Sequence, residues 1–178
     1  IAMDPGMAFG TGLHPTTRLC LAALESLGDR GVLAGGAPGG GPARVLDVGC
    51  GSGILAIAAA KLGARDVLAV DVDPIAVEAS AANARRNRLA RVIRAREGSA
   101  PSGEGPFDVV LANLIASLLV TLADGLVADL RPGGTLLASG IFENREADVV
   151  AAFEARGLVV AERRSEGDWV ALEVRRPA

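Results

Sequence analysis

Short apolar segments that alternate with helical segments constrain the fold of this chain more than any other feature of its sequence. Residues 107–112 are the clearest case, because an almost wholly apolar run is typical of a parallel strand covered on both faces. Helical periodicity begins at Pro15, a residue suited to the first position of a helix. The predicted strands are residues 44–48, 67–72, 92–96, 107–112 and 135–139, and the later predicted helices are residues 52–62, 74–87, 116–130 and 143–156. This order predicts a doubly wound α/β fold with a mostly parallel sheet.

The end of the chain departs from this alternation. Residues 158–164 and 169–174 form two predicted strands, and the Ser-Glu-Gly-Asp sequence between them is typical of a β-hairpin. A helix stop and a turn are predicted at residues 131–134, where the sequence is Arg-Pro-Gly-Gly. We therefore expect a Rossmann-like sheet of about seven strands that ends in an antiparallel hairpin.

Length and composition fit one domain, residues 1–178. Residues 1–43 would comprise a lead-in loop, a helix and a Gly/Pro-rich loop, and residues 44–178 the core. The formal charge of −3 argues against extended electrostatic contact with nucleic acid. No apolar run approaches the roughly 18 residues that span a bilayer, so we expect no membrane association. The two cysteines lack a CxxC spacing and there is a single histidine, which predicts a reduced, cytoplasmic protein without a metal site.

The run Asp-Val-Gly-Cys-Gly-Ser-Gly at residues 47–53 follows the first predicted strand and opens a helix. Glycines such as Gly49 and Gly51 permit a tight turn and let a ligand approach the backbone N–H groups at the helix start. Asp71 ends the next strand, roughly 20 positions further on, where an acidic residue can accept hydrogen bonds from ribose hydroxyls. Together these features predict a site for an adenosine-type ligand at the carboxyl ends of the strands.

The glycine spacing bears on which ligand binds. The dinucleotide fingerprint is GxGxxG, whereas this chain has GxGxG. Asp47 would be out of place beside a pyrophosphate, but it could hold the methionine ammonium of S-adenosylmethionine, directly or through water. The pattern thus favours S-adenosylmethionine over a nicotinamide cofactor, and a tight turn without any ligand is the remaining alternative.

Several other side chains are candidates for the site. Asn113 follows the fourth strand, beside the glycine run, where its amide could accept a hydrogen bond from an incoming amine; the alternative is an Asn that caps the next helix. His14 could serve as a base or simply pack at a helix N-terminus. Phe9 and Trp169 could cover the cofactor or the substrate amine, although a tryptophan in that position is more often part of the core. Cys50 is best interpreted as a small residue between two glycines.

The lead-in segment 5–17, with the sequence PGMAFGTGLHPTT, makes a resemblance specific. Together with this segment, the motifs DVGCGSG, AVDVDP, ANL and, near the end, GDWV make the chain resemble the bacterial ribosomal protein L11 methyltransferase family over nearly its whole length. This resemblance implies a class I methyltransferase in which Thr17, Gly49, Asp71 and Asn113 contact S-adenosylmethionine. It also implies methylation of lysine side-chain amines and of the N-terminal amine of ribosomal protein L11.

Full-length members of that family carry an additional N-terminal domain that recognises the ribosomal protein. The present sequence starts just ahead of the FGTG segment, so we expect it to hold the catalytic half only, and we expect a monomer. A methyltransferase for another protein or a small-molecule amine, a non-catalytic binding domain and a nicotinamide-dependent oxidoreductase are the alternatives. Methylases of glutamine amides and nucleic-acid amines usually carry Asn-Pro-Pro-aromatic after the fourth strand, whereas Leu114 and Ile115 follow Asn113 here.

Overall fold

The structure is a computed structural model that describes residues 1–4, 12–36 and 40–178. The elements in chain order are α1 (Pro15–Asp29), β1 (Arg44–Val48), α2 (Ile54–Lys61), β2 (Asp66–Asp71), α3 (Pro74–Arg86), β3 (Ile93–Glu97), β4 (Phe107–Asn113), α4 (Ala116–Thr121), α5 (Ala123–Asp129), β5 (Leu130–Phe142), a 3-10 helix (Glu143–Arg145), α6 (Glu146–Glu154), β6 (Val159–Glu166) and β7 (Trp169–Arg175). Pro15 occupies the start of α1, as predicted, and the apolar residues at helical spacing behind it are buried.

The strands form one seven-stranded sheet in the order β3-β2-β1-β4-β5-β7-β6. The pairs β1–β2, β2–β3, β1–β4 and β4–β5 are parallel, and β7 is antiparallel to both β5 and β6. The predicted doubly wound sheet with a C-terminal hairpin is confirmed. The chain runs outward from β1 in one direction and from β4 in the other, so the crevice between the carboxyl ends of β1 and β4 is the expected ligand position in such a fold.

Alternate residues of the central strands face two separate apolar clusters, as the period of a β-strand requires. Val45, Ala69 and Leu111 pack with α1 and α2, whereas Leu46 and Val110 pack with residues of α4, α5 and α6. Helix α2 is buried along its apolar length from Ile54 to Ala60, which explains why its sequence shows no polar face. The central strands are thus held rigidly between two helical layers, and their carboxyl ends offer a fixed platform.

Two details differ from the sequence-based predictions. The helix predicted for residues 116–130 is broken at Leu122, whose ψ of 1° departs from helical geometry, and Gly125 beyond the break lies so close to Ala100 that a Cβ would come within 2.5 Å of its carbonyl carbon. Residues 131–134, predicted as a helix stop and turn, follow the end of α5 but belong to β5, which begins at Leu130; the register against β4 shifts there, and Gly133 has a φ of 76°. The backbone N–H of Gly133 donates to the carbonyl of Arg176 (2.9 Å), and this pairing holds the segment in the sheet.

Within the three described ranges, no helix has both the length and the apolarity needed to cross a membrane.

Candidate functional site

The loop between β1 and α2 wraps over the end of β2. The backbone N–H groups of Gly49 and Cys50 both donate to the carbonyl of Val70, at 2.9 and 3.0 Å. Gly49 and Gly51 have φ angles of 70° and 52°, which favour glycine. A Cβ on Gly49 would also lie 2.5 Å from a methyl group of Leu114, so the loop approaches the segment after β4 closely. The predicted glycine turn therefore lies at the crevice between β1 and β4.

Asp71 is fixed at the end of β2 by two backbone donors. The N–H of Gly51 donates to Oδ2 (3.0 Å) and the N–H of Asp73 donates to Oδ1 (3.0 Å). The first bond joins positions that are 20 residues apart, so the structure brings the predicted acidic residue directly onto the predicted glycine loop. Its side chain is only partly buried. Each carboxylate oxygen can accept further hydrogen bonds, which leaves Asp71 able to bind a hydroxyl-bearing ligand.

Two large apolar side chains next to Asp71 are exposed, and the sequence reasoning missed them. Val72, in the link between β2 and α3, is 76% exposed, and Ile75, in the first turn of α3, is 53% exposed. No local signal predicts this exposure, because alternation along a strand would turn a valine between two aspartates towards the core. These side chains form an apolar surface beside the Asp71 carboxylate.

Asp47 is a buried carboxyl group on β1, with 1% of its surface exposed. The backbone N–H of Ala56, in the first turn of α2, donates to its Oδ2 at 3.1 Å. Burial raises the pKa of Asp47 to about 7, the N–H of Ala56 opposes this shift, and the negative charge of Asp71 adds to it. A cation placed nearby would favour the charged form of Asp47.

Asn113 is the last residue of β4, opposite Ser139 of β5, and is partly buried. Its Nδ2 lies 3.5 Å from Oγ1 of Thr17 on α1, so the structure brings these two predicted residues together. The alternative role, capping of the next helix, is not observed, because the N-cap of α4 is Ile115 and no side chain caps that helix. Asn113 is therefore available to the crevice between β1 and β4.

His14 is the N-cap of α1. The backbone N–H of Thr16 donates to its Nδ1 at 3.3 Å, and its ring packs edge-on against Trp169, with ring centres 5.1 Å apart. Trp169 packs in turn against Phe142 at 5.2 Å. Arg18 on α1 pairs with Glu166 of the hairpin and so ties this aromatic group together. The observed contacts of His14 match the helix-packing interpretation, and the predicted covering role of Phe9 lies outside the described residues.

Cys50 and the possible metal ligands were the other candidate groups. Cys50 is buried, and this burial raises the pKa of its thiol far above neutrality, which agrees with its interpretation as a small residue. In the part of the chain that the structure describes, no group of three or more His, Cys, Asp or Glu side chains could hold a metal ion.

A sequence model of one protein family, described as ribosomal protein L11 methyltransferase (PrmA), matches residues 1–177. The chain belongs to this family. The resemblance inferred from the lead-in segment and the glycine loop is thereby confirmed.

Individual members of the ribosomal protein L11 methyltransferase family give the extent of the similarity. The chain is 48% identical to the ribosomal protein L11 methyltransferase of Herpetosiphon aurantiacus over 198 residues and 49% identical to that of Chloroflexus aurantiacus over 202 residues. These matches cover 98% and 99% of the chain, but the chain spans 58% of the length of each relative. A crystal structure of the ribosomal protein L11 methylase from Lactobacillus delbrueckii subsp. bulgaricus is 31% identical, with a TM-score of 0.82 over 99% of this chain and 84% of that one.

The geometry of Gly49 leads to a first prediction. Gly49→Ala would place a Cβ at positive φ and against Leu114, so we expect a loss of about 1–2 kcal/mol in the free energy of unfolding and a loss of ligand binding at this loop. Gly157→Ala is a matched control, because Gly157 has a φ of 78° but a Cβ there would meet no atom within 4 Å. Chemical denaturation and calorimetric titration would measure both effects, and equal behaviour of the two variants would contradict the role of Gly49.

Proposed function

We propose that this chain is the catalytic part of an S-adenosylmethionine-dependent N-methyltransferase that methylates lysine side-chain and N-terminal amines of ribosomal protein L11. Membership of the family supports the reaction and the acceptor. The main structural support for the proposal is that two groups of predicted site residues meet at the crevice between β1 and β4. The Asp71 carboxylate lies on the glycine loop on one side, and the Thr17–Asn113 pair closes the other side.

The residues present fit S-adenosylmethionine. Asp71 would accept hydrogen bonds from the ribose hydroxyls, while the exposed Val72 and Ile75 would offer an apolar surface to the adenine. Gly49 lets the loop pack against Leu114, where a Cβ would collide, and this packing holds the loop at the crevice. Asp47 would hold the methionine ammonium, and its burial favours contact through a water molecule.

When bound, S-adenosylmethionine supplies a methyl group on an electron-poor sulfonium, which needs no further activation by the protein. The task of the chain is therefore to align a neutral amine with that carbon, and alignment alone can contribute several kcal/mol. A lysine amine has an ordinary pKa of about 10.4, so it must lose its proton before it can react. That proton passes to solvent before the amine binds. Asn113 is suited to orient the resulting neutral amine, because Thr17 engages Nδ2 and Oδ1 remains to accept an N–H of the amine.

The length of the relatives bears on acceptor recognition. Because the chain spans 58% of the length of each of the two relatives, we propose that a further N-terminal domain binds the ribosomal protein and that the present chain binds the cofactor by itself. The GxGxG spacing and the family membership both argue against a nicotinamide-dependent oxidoreductase.

Calorimetric titration with S-adenosylmethionine, followed by an assay of methyl transfer to purified ribosomal protein L11, tests the proposal. We expect a single binding site and no binding of NADH. Methylated amines should form slowly and be detectable by mass spectrometry, because the proposed acceptor-binding domain lies outside this chain. Cofactor binding without transfer would place acceptor recognition outside this chain. Failure to bind the cofactor at all would contradict the proposal.

The buried carboxyl of Asp47 predicts an unusual pH dependence. Its pKa of about 7 in the fold lies above its ordinary value of 3.8, so the folded protein keeps a proton that the unfolded chain has already lost. This contribution to stability is fully present below pH 3.8 and is lost as the pH rises to about 7. We expect Asp47→Asn to remove that part of the decline in Tm of the ligand-free protein between about pH 4 and pH 7.

Thermal melting across this range checks the result, with Asp168→Asn in the exposed hairpin turn as a control that keeps the wild-type profile. An Asp47→Asn profile identical to that of the wild type would show that Asp47 does not titrate in this range.

An ammonium bound near Asp47 would lower its pKa, so cofactor binding at pH 7 should release protons in the wild type and fewer in Asp47→Asn. Calorimetry in buffers of different ionisation enthalpy measures this release.

A further inference from the structure

A single buried amide on α3 contacts two segments that are distant in sequence. Asn83 is 2% exposed; its Nδ2 donates to the carbonyl of Ser52 (2.9 Å) in the glycine loop, and its Oδ1 accepts from the N–H of Asp4 (3.0 Å). An asparagine side chain can do this because it carries a donor and an acceptor. The bond to Ser52 is buried and is therefore stronger than it would be at the surface, whereas the bond from Asp4 is partly buried.

The same face of α3 holds the first residues of the chain. Asn87, one turn beyond Asn83, accepts from the N–H of Ala2 (3.0 Å) and donates to its carbonyl (2.6 Å). Arg86 pairs with Asp4 (2.9 Å), and Met3 packs against the apolar cluster that includes Cys50 and Ile54. Residues 2–4 belong to no helix or strand, so side chains of α3 fix their position.

Helix stability does not account for Asn83. Asparagine is a poor residue for a helix interior, and a buried one requires a specific reason. Asn87 is the C-cap of α3, where its Nδ2 also donates to the carbonyl of Asn83 (2.9 Å). Asn83 and Asn87 are four residues apart and therefore share one face of α3. Ser80, three residues before Asn83, contacts the glycine loop so closely that a Cβ on Gly53 would lie 2.5 Å from its Oγ. This face of α3 thus contacts the glycine loop at one end and residues 2–4 at the other.

We propose that Asn83 is a positioning residue that couples the placement of residues 2–4 to the geometry of the glycine loop, and thereby to cofactor affinity. The proposal rests on the function proposed above, in which that loop binds S-adenosylmethionine. Because coupling between two sites is reciprocal, release of residues 2–4 should weaken cofactor binding, and cofactor binding should tighten the hold on residues 2–4. The chain that precedes residue 2 in a longer protein would then influence the cofactor site through this amide.

A double-mutant cycle separates coupling from a structural role. Asn83→Asp keeps the acceptor for Asp4 but turns an oxygen towards the Ser52 carbonyl. Asn87→Ala releases Ala2, but it also removes the bond from Asn87 Nδ2 to the Asn83 carbonyl. Arg86→Ala, which releases only Asp4, is therefore tested beside it and should change cofactor affinity in the same direction. We expect the Kd for S-adenosylmethionine to rise about 10-fold in Asn83→Asp and about 3-fold in Asn87→Ala. The double variant should bind no more weakly than Asn83→Asp alone, because coupled effects do not add. Arg85→Ala, at an exposed position of the same helix, is the control and should bind as the wild type.

Hydrogen exchange of the ligand-free protein provides a readout that does not depend on the cofactor. Residues 49–53 should exchange faster in Asn87→Ala than in the wild type and at the wild-type rate in Arg85→Ala. Faster exchange in Asn87→Ala supports the coupling even if S-adenosylmethionine fails to bind, which would contradict the proposed function alone. Unchanged exchange there, or wild-type affinities in both asparagine variants when the wild type binds, would overturn the inference.

Discussion

Asp71→Ala is expected to raise the Kd for S-adenosylmethionine by about 100-fold or more. The carboxylate would accept a hydrogen bond from each of the two ribose hydroxyls, and hydrogen bonds to a charged group contribute about 1.5–3 kcal/mol each. Asp71 also accepts a hydrogen bond from the N–H of Gly51, so its removal frees the glycine loop to move. Calorimetric titration of the purified variant measures the effect directly.

Asp66→Ala provides the matched control for Asp71→Ala. Asp66 lies at the opposite end of the same strand, β2, and pairs there with Arg44 and Arg94. Its loss should lower stability by no more than about 1 kcal/mol, because these ion pairs are partly exposed, and it should leave the Kd for the cofactor unchanged. An Asp71→Ala variant that bound within about threefold of the wild type would show that this carboxylate does not hold the ribose.

Sequence periodicity was sufficient to predict the sheet and the location of the crevice. Once β1 and β2 are recognised as neighbouring parallel strands, the residues that follow them must meet at one edge, which places the glycine loop beside Asp71. The same rule brings the end of β4, and hence Asn113, to that edge. The exact beginning of β5 at Leu130 escaped this reasoning because its Pro-Gly-Gly sequence is a turn signal. The segment is held in the sheet by the pairing of Leu130 with Phe107 and by backbone bonds of Gly133 and Gly134 with Arg176.

The contacts that refine the site have no local signature. The bond between Asn83 and Asp4 joins residues 79 positions apart, and the contact between Asn113 and Thr17 joins residues 96 positions apart. Neither pair could be predicted from spacing, and Thr17 entered the candidate site only through the family resemblance. The sequence shows that Asp47 lies next to the glycine loop, but its bond to the N–H of Ala56 depends on how α2 packs against β1. Such contacts are decided by tertiary packing.

Asn113→Ala is expected to lower the rate of methyl transfer to ribosomal protein L11 by about 100-fold or more, while the Kd for S-adenosylmethionine changes little. The reason is that Oδ1 of Asn113 orients the amine, whereas the cofactor is also held by Asp71 and the glycine loop, and a misplacement of about 1 Å at the reacting atoms costs about that factor. Single-turnover formation of S-adenosylhomocysteine, measured alongside cofactor titration, separates the two effects.

Thr17→Val tests how the Asn113 amide is held. It removes the hydroxyl that lies 3.5 Å from Nδ2 and should slow transfer by about 10-fold, because the amide can then rotate away from its working orientation. Asn144→Ala, at an exposed position in the 3-10 helix after β5, removes an equivalent amide away from the crevice and should transfer at the wild-type rate. Full activity in Asn113→Ala would rule out its role towards the amine. Full activity in Thr17→Val alone would instead mean that Asn113 is held by its position at the end of β4.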